Sequence, residues 1–174
     1  MQIPDIDAIN RHYDRVVISP HFDDAVASCG GGIIEWIKRG EKVLVVTVFT
    51  SLNTNNKPFR KKAYGKLLDY DRRRAEDKAA MLSLGVDFIW LGYREILFRE
   101  NIPLFRYWPC FRKTPANVAL SHTLASDFLD ICSKTCFKNL ILPMAVGQHM
   151  DHQVVFQAGK YLLNKENKTC RIIF

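Results

Sequence analysis

The chain alternates short, unbroken apolar runs with longer stretches in which apolar residues recur every three or four positions. Arg15–Ser19 (RVVIS) is continuous and β-branched, the pattern of a strand buried on both faces. From Asp24 to Arg39, apolar side chains at Val26, Ile33, Ile34 and Ile37 predict a helix, stopped by Gly40. Lys42–Phe49 (KVLVVTVF) reads as a second buried strand and Thr50–Tyr70 as a polar, irregular segment. Asp71–Leu84 reads as a helix with Ala75, Ala79, Met81 and Leu82 inward and Gly85 at its end. A strand at Val86–Leu91, a long loop over Gly92–Ala119 and a helix at Leu120–Phe137 follow. A strand at Asn139–Pro143, a helix at Asp151–Asn164 and a strand at Cys170–Phe174 complete the pattern.

This alternation implies an α/β fold, a Rossmann-like three-layer sandwich with a mostly parallel sheet and right-handed crossovers. With no internal repeat or low-complexity tract, residues 1–174 read as a single domain. The last strand stops at the chain end, which leaves open a C-terminal segment outside this sequence.

In open α/β sheets, sites form beyond the carboxyl ends of the strands. Pro20–Asp24 and Met144–His152 both follow predicted strands, so His21, Asp23 and Asp24 are expected to meet His149, Asp151 and His152 on one edge. Two or three His/Asp ligands with an open position make a catalytic metal site, with zinc the default for such nitrogen and oxygen donors. Zinc brings the pKa of a bound water near 7. An adjacent carboxylate can take that water's proton, and a further histidine can steady an oxyanion or protonate a leaving amine. Each motif alone is weak, since an aspartate after a strand is often a helix N-cap, a role open to Asp24. Their pairing on one edge carries the reading. Gly30, Gly31 and Gly32 lack the spacings of phosphate-binding loops and fall within the helix, so they read as close packing on the sheet.

Composition narrows the picture. Hydrophobic residues make up 48% of the chain, enough for a sizeable core, so disorder is not expected. No apolar run reaches the roughly 18 residues of a membrane span, and the polar N-terminus lacks a signal-peptide core; a cytoplasmic protein is expected. Five cysteines without a C-x-x-C pair argue against cysteine-held zinc and fit reduced thiols, Cys29 as buried filler. Of the net charge of +7, residues 57–74 alone contribute +6, eight basic residues against Asp69 and Asp71. Such a patch suits an anionic substrate, a nucleic acid or a membrane surface, or is simply a solvated segment.

The motifs resemble those of the LmbE-like, or PIG-L, family of metal-dependent N-deacetylases. The family's opening P-H-P-D-D-E stands here as Pro20-His21-Phe22-Asp23-Asp24-Ala25, and its late H-x-D-H as His149-Met150-Asp151-His152. Its middle helix is matched by Arg73, Glu76, Ala80, Leu84 and Gly85. The resemblance implies that His21, Asp24 and His152 hold Zn2+. It implies Asp23 as general base, His149 as oxyanion stabiliser or acid, and Asp151 as the group that orients a histidine. It also implies a small-molecule N-acetylated sugar or glycoconjugate as substrate. Phe22 and Ala25 depart from the family's proline and glutamate, which leaves the ligand set whole and puts second-sphere geometry in question.

Substrate contacts are expected from Arg73, Arg94 and Trp108. Arg94 and Trp108 lie in the long loop, where Phe98, Phe105, Tyr107 and Phe111 interleave with arginines. Aromatic faces stack on sugar rings, and arginine pairs with phosphate or carboxylate, so an anionic amide substrate is expected. The alternative is an α/β nucleotide- or nucleic-acid-binding module with a vestigial metal site. No nucleic-acid-binding signature is present, so no nucleic-acid partner is expected, while a homo-oligomer is left open.

Overall fold

Every strand pairing in the sheet is parallel, as expected of buried, β-branched runs joined by helices. The computed structural model describes residues 1–51, 69–99, 117–135, 137–164 and 171–173. Among them the strands are β1 (Gln2–Ile3), β2 (Arg15–Ser19), β3 (Val43–Ser51), β4 (Asp87–Arg94), β5 (Asn139–Ile141) and β6 (Arg171–Ile173), in the order β1-β4-β3-β2-β5-β6. The helices are α1 (Asp24–Lys38), α2 (Tyr70–Leu84), α3 (Ile96–Arg99), α4 (Val118–Lys134) and α5 (Met150–Asn164).

Alternate strand residues feed two cores. Val17, Val43, Val45 and Phe88 pack with Ala25 and Ile33 of α1 and Met81 of α2. Val16, Ile18, Leu44 and Val46 pack with Leu124 and Phe128 of α4 and Val154, Val155 and Ala158 of α5. The sheet is therefore covered on both faces, the three-layer arrangement the alternation predicts. β2 lies between β3 and β5, with Val16 opposite both Leu44 and Leu140. Here the order of strands reverses, and a crevice opens at their carboxyl ends.

The structure corrects several element-level expectations. In α2 the buried side chains are Tyr70, Asp77 and Met81; Ala75, Ala79 and Leu82 face outward, Leu82 being 55% exposed. The inner face of α2 is polar: Asp77 Oδ2 accepts from Trp90 Nε1 at 2.8 Å, and Arg73 Nη1 donates to Glu95 Oε1 at 2.9 Å. Apolar period cannot locate such a face. In α1, Ile33 is buried but Val26 and Ile34 are exposed. β4 runs on through Gly92–Arg94 and α3 follows, within the span expected to be loop.

The glycine triplet does not mark close packing on the sheet. A Cβ on Gly30 would meet Val26 only at 3.8 Å, one on Gly31 would meet nothing, and one on Gly32 would touch the ring of Trp36 in its own helix at 3.3 Å. The close approach is at Gly159 of α5, where a Cβ would come within 2.3 Å of Leu142 Cδ1.

Candidate active site

The loop between β2 and α1 is tied from its own strand. Ser19 Oγ donates to the His21 carbonyl at 2.6 Å and accepts from the Ala25 N–H at 3.0 Å, closing the turn and satisfying an amide of the first turn of α1. Asp24 does not act as N-cap. Its Oδ2 accepts from the His21 backbone N–H at 2.9 Å and lies 3.2 Å from His21 Nδ1. The N-cap position belongs to Asp23, whose exposed carboxylate makes no capping bond. Phe22, between His21 and Asp23, is buried edge-on against Tyr70 and Trp90, with the Arg73 guanidinium 5.5 Å from its ring centre. An aromatic anchor stands where the family has proline. Ala25 is buried in the core beneath α1.

The second motif arrives on the first turn of α5. His152 Nε2 lies 3.1 Å from the same Asp24 Oδ2, so one carboxylate oxygen bridges imidazoles from the two motifs. The rings of His21, His149 and His152 stand 5.0–5.3 Å apart, and a ligand nitrogen from each lies within 4.8 Å of the others. Asp151, fully buried, places Oδ2 3.1 Å from His21 Nε2 and accepts the Ile96 N–H at 3.0 Å. Its Oδ1 pairs with Arg99 Nη2 at 2.8 Å. His21 is thus held between carboxylates at both ring nitrogens.

Charge follows from that geometry. Burial opposes the charged form of His21, but Asp151 and Asp24 outweigh it and push its pKa up to about 10. Burial likewise opposes ionised Asp24, and His152 and His21 overcome it, holding the carboxyl far below its usual range. Burial, then the neighbouring His21 charge, pushes His149 down to about 4. The cluster therefore stabilises a positive charge at the meeting point of His21 Nδ1, Asp24 and His152, the place where a divalent cation would replace a proton. Donor types and spacing fit such an ion.

The remaining expected residues are placed unevenly. Asp23 lines a cavity of about 280 Å3 with Phe22, Arg73, Glu76 and Asp77, on the α2 side of the cluster. Arg73 is half-buried on Glu95. Arg94 is exposed at the end of β4, and its carbonyl accepts from Arg99. Trp108 and residues 57–68 of the basic stretch lie outside the described residues. Within the described part of that stretch, Arg72 pairs with Glu76 and Arg74 donates to the Thr50 carbonyl at 2.7 Å, so these cations are engaged internally. Sequence reasoning missed Glu95, and took Arg99 as one of the long loop's substrate-facing arginines rather than as the partner of Asp151. Both are set at the cluster by α3, a single turn with no periodic signal. A lone glutamate at a strand end was the available clue.

Comparison with known proteins agrees with this fold. The 2'-N-acetylparomamine deacetylase of Niallia circulans is 25% identical over an alignment of 174 positions, covering 85% of this chain and 62% of that protein. A deacetylase of the teicoplanin biosynthetic pathway, solved as its bog complex, has a TM-score of 0.73 at 25% identity, covering 88% of this chain and 63% of that one. The zinc-inhibited form of teicoplanin deacetylase also has a TM-score of 0.73, at 24% identity, covering 88% and 64%. The chain spans less than two thirds of the length of each of these relatives. The PIG-L family model, described as GlcNAc-PI de-N-acetylase, matches residues 16–163, from β2 to the last turn of α5 and across both histidine motifs. By that match, the chain belongs to the PIG-L family.

Proposed function

We propose that this protein is a zinc-dependent hydrolase that removes an N-acyl group, acetyl in the first instance, from an amino-sugar-type substrate. One observation carries the reading: a single Asp24 oxygen within 3.2 Å of His21 Nδ1 and 3.1 Å of His152 Nε2, from motifs at opposite ends of the chain. Membership of a family described as de-N-acetylases supports it, as do deacetylase relatives in glycoconjugate chemistry.

His21 through Nδ1, Asp24 and His152 would hold the ion. Zn2+ there supplies a positive centre that polarises an amide carbonyl and lowers the pKa of a water toward neutrality. Asp151 fixes the tautomer and orientation of His21 by holding its Nε2. Asp23, exposed and free of a capping bond, accepts the proton of the attacking water. The oxygen of that water bonds to the carbonyl carbon. His149 accepts the Asp151 N–H at Nδ1, 3.3 Å away, which leaves its proton on Nε2. Neutral in this setting, it donates that N–H to the developing oxyanion. The C–N bond then breaks, and the proton held by Asp23 passes to the nitrogen, giving a carboxylic acid and a primary amine.

The Arg73–Glu95 pair, beside the cavity that Asp23 lines, would offer charged groups to sugar hydroxyls. Cytoplasmic placement belongs to the same reading; no helix among the described residues is long and apolar enough to cross a membrane. The nucleic-acid alternative gains nothing from Arg72, Arg73 and Arg74, which all face partners within the chain.

The test is release of acetate from N-acetylglucosamine and its glycoconjugates by chelator-stripped protein reloaded with zinc. Activity should appear at about one equivalent of zinc and vanish on chelation. Because zinc inhibits a relative, excess metal is assayed separately. No hydrolysis of N-acetyl or longer N-acyl amino sugars at any zinc level would overturn the reading.

A further inference from the structure

The cavity on the other side of the His–Asp cluster is far larger than an acetyl group needs. It encloses about 410 Å3, and Asp24 and His152 form part of its wall. It lies on the α1 face of the sheet, between the first turns of α1 and the segment that follows β5. Val17, Ala25, Cys29, Ile141, Met144 and Val146 are among the largely apolar residues that supply the remaining lining. An apolar cavity of roughly 150 Å3 already admits a benzene ring. Burial pushes the Cys29 thiol up, so this wall carries a neutral S–H.

The rim has its own character. Met144 is 63% exposed and Val146 80% exposed, two apolar side chains at the mouth of an apolar cavity. Their backbone is held in a defined shape by left-handed conformations at Ala145 (φ 56°), Gly147 (φ 87°) and Gln148 (φ 61°). Such conformations are costly outside glycine and persist where the surroundings enforce them. The first turns of α1 thus stand between two spaces. On the α2 side, Asp23, Arg73, Glu76 and Asp77 share a cavity with Phe22, Val26 and Ala80; on the other, Asp24 and His152 open onto one lined mainly by apolar residues.

We infer that the substrate is an N-acyl amino sugar whose acyl chain is longer than acetyl, with the sugar on the Arg73 side and the chain in the cavity between α1 and Val146. This rests on the amide-hydrolase reading and deepens it. The occupant is argued from continuity: the amide must meet Asp24 and His152, and the apolar cavity begins at those two residues. Each buried methylene contributes about 0.8 kcal/mol, roughly fourfold in affinity.

The test compares N-acetylglucosamine with N-octanoylglucosamine, using zinc-loaded protein and detecting released glucosamine. The octanoyl compound should have a kcat/KM at least about tenfold higher, mostly through a lower KM. Val146→Asp, a change at an exposed rim position, and Cys29→Phe, which fills the cavity, should each lower the octanoyl-to-acetyl ratio at least about fivefold. A second readout is independent of turnover: calorimetric binding of both compounds to metal-stripped protein. Octanoyl should bind at least about tenfold more tightly, and Val146→Asp should abolish the difference. If acetyl is cleaved as well as or better than octanoyl, the inference falls and the hydrolase reading stands. If neither is cleaved but octanoyl binding is tight and sensitive to Val146→Asp, the cavity is upheld and the hydrolase reading falls. If chain length affects neither binding nor rate, and sedimentation shows a dimer that Val146→Asp dissolves, a second copy fills the cavity and the inference is overturned.

Discussion

Asp23 and Asp24 are sequence neighbours with opposite surroundings. Asp24 is locked between two imidazoles and a backbone amide; Asp23 stands at the helix start with no capping bond. Their roles should therefore separate by mutation. Asp23→Ala is expected to lower kcat by about 10²–10⁴, the usual range for a lost general base, while zinc content stays that of the wild type. Metal analysis beside steady-state kinetics checks both halves. Asp77 offers a second test at this scale. It is buried, and burial, then the nearby Asp23 charge, raises its pKa to about 6, against the lowering effects of Trp90 and Arg73. A raised folded-state value means the folded chain binds the extra proton. Stability from this group is full below the ordinary value of 3.8 and is lost as pH rises through about 6. Asp77→Asn should raise Tm at pH 7.5 and leave it nearly unchanged at pH 3.5. Thermal melts at the two pH values decide; an equal shift at both would contradict the assignment.

At the scale of elements, the four-residue helix α3 matters beyond its length. Through Arg99 and the Ile96 amide it neutralises the buried Asp151 that holds His21. Arg99→Met should destabilise the fold by about 3 kcal/mol by leaving a buried carboxylate uncompensated. Adding Asp151→Asn should recover part of that loss; urea unfolding of both variants measures it. Packing of α5 on the strand end is equally specific. Gly159→Ala should cost about 1–3 kcal/mol through overpacking against Leu142 and should cost less when Leu142→Ala is present. A double-mutant cycle of Tm or urea midpoints reads that coupling. The two histidine motifs were legible in the sequence because each directly follows a strand whose apolar run is unmistakable. Glu95 and Arg99 were not, because an ion pair across elements leaves no period. The inner face of α2 was misread for a related reason: Asp77 and Arg73 face inward, paired with Trp90 and Glu95, while Leu82 faces water.

For the whole molecule, alternation of strand and helix was enough to anticipate a parallel sheet covered on both faces. The order of its strands was not expressed in that pattern. It depends on which crossovers pack back on which face, and β1, two residues beside β4, is too short to leave an apolar run. The reversal between β2 and β5 then explains why residues about 130 positions apart meet at one crevice. At this meeting point we place a metal site. The direct measurement is zinc stoichiometry and affinity of chelator-stripped protein, with His21→Ala and Asp24→Asn beside the wild type and far-UV circular dichroism to confirm folding. The wild-type protein should bind about one zinc per chain, and both folded variants should bind it at least about a hundredfold more weakly. Zinc bound as tightly by the variants, or not bound by the wild-type protein, would contradict this placement.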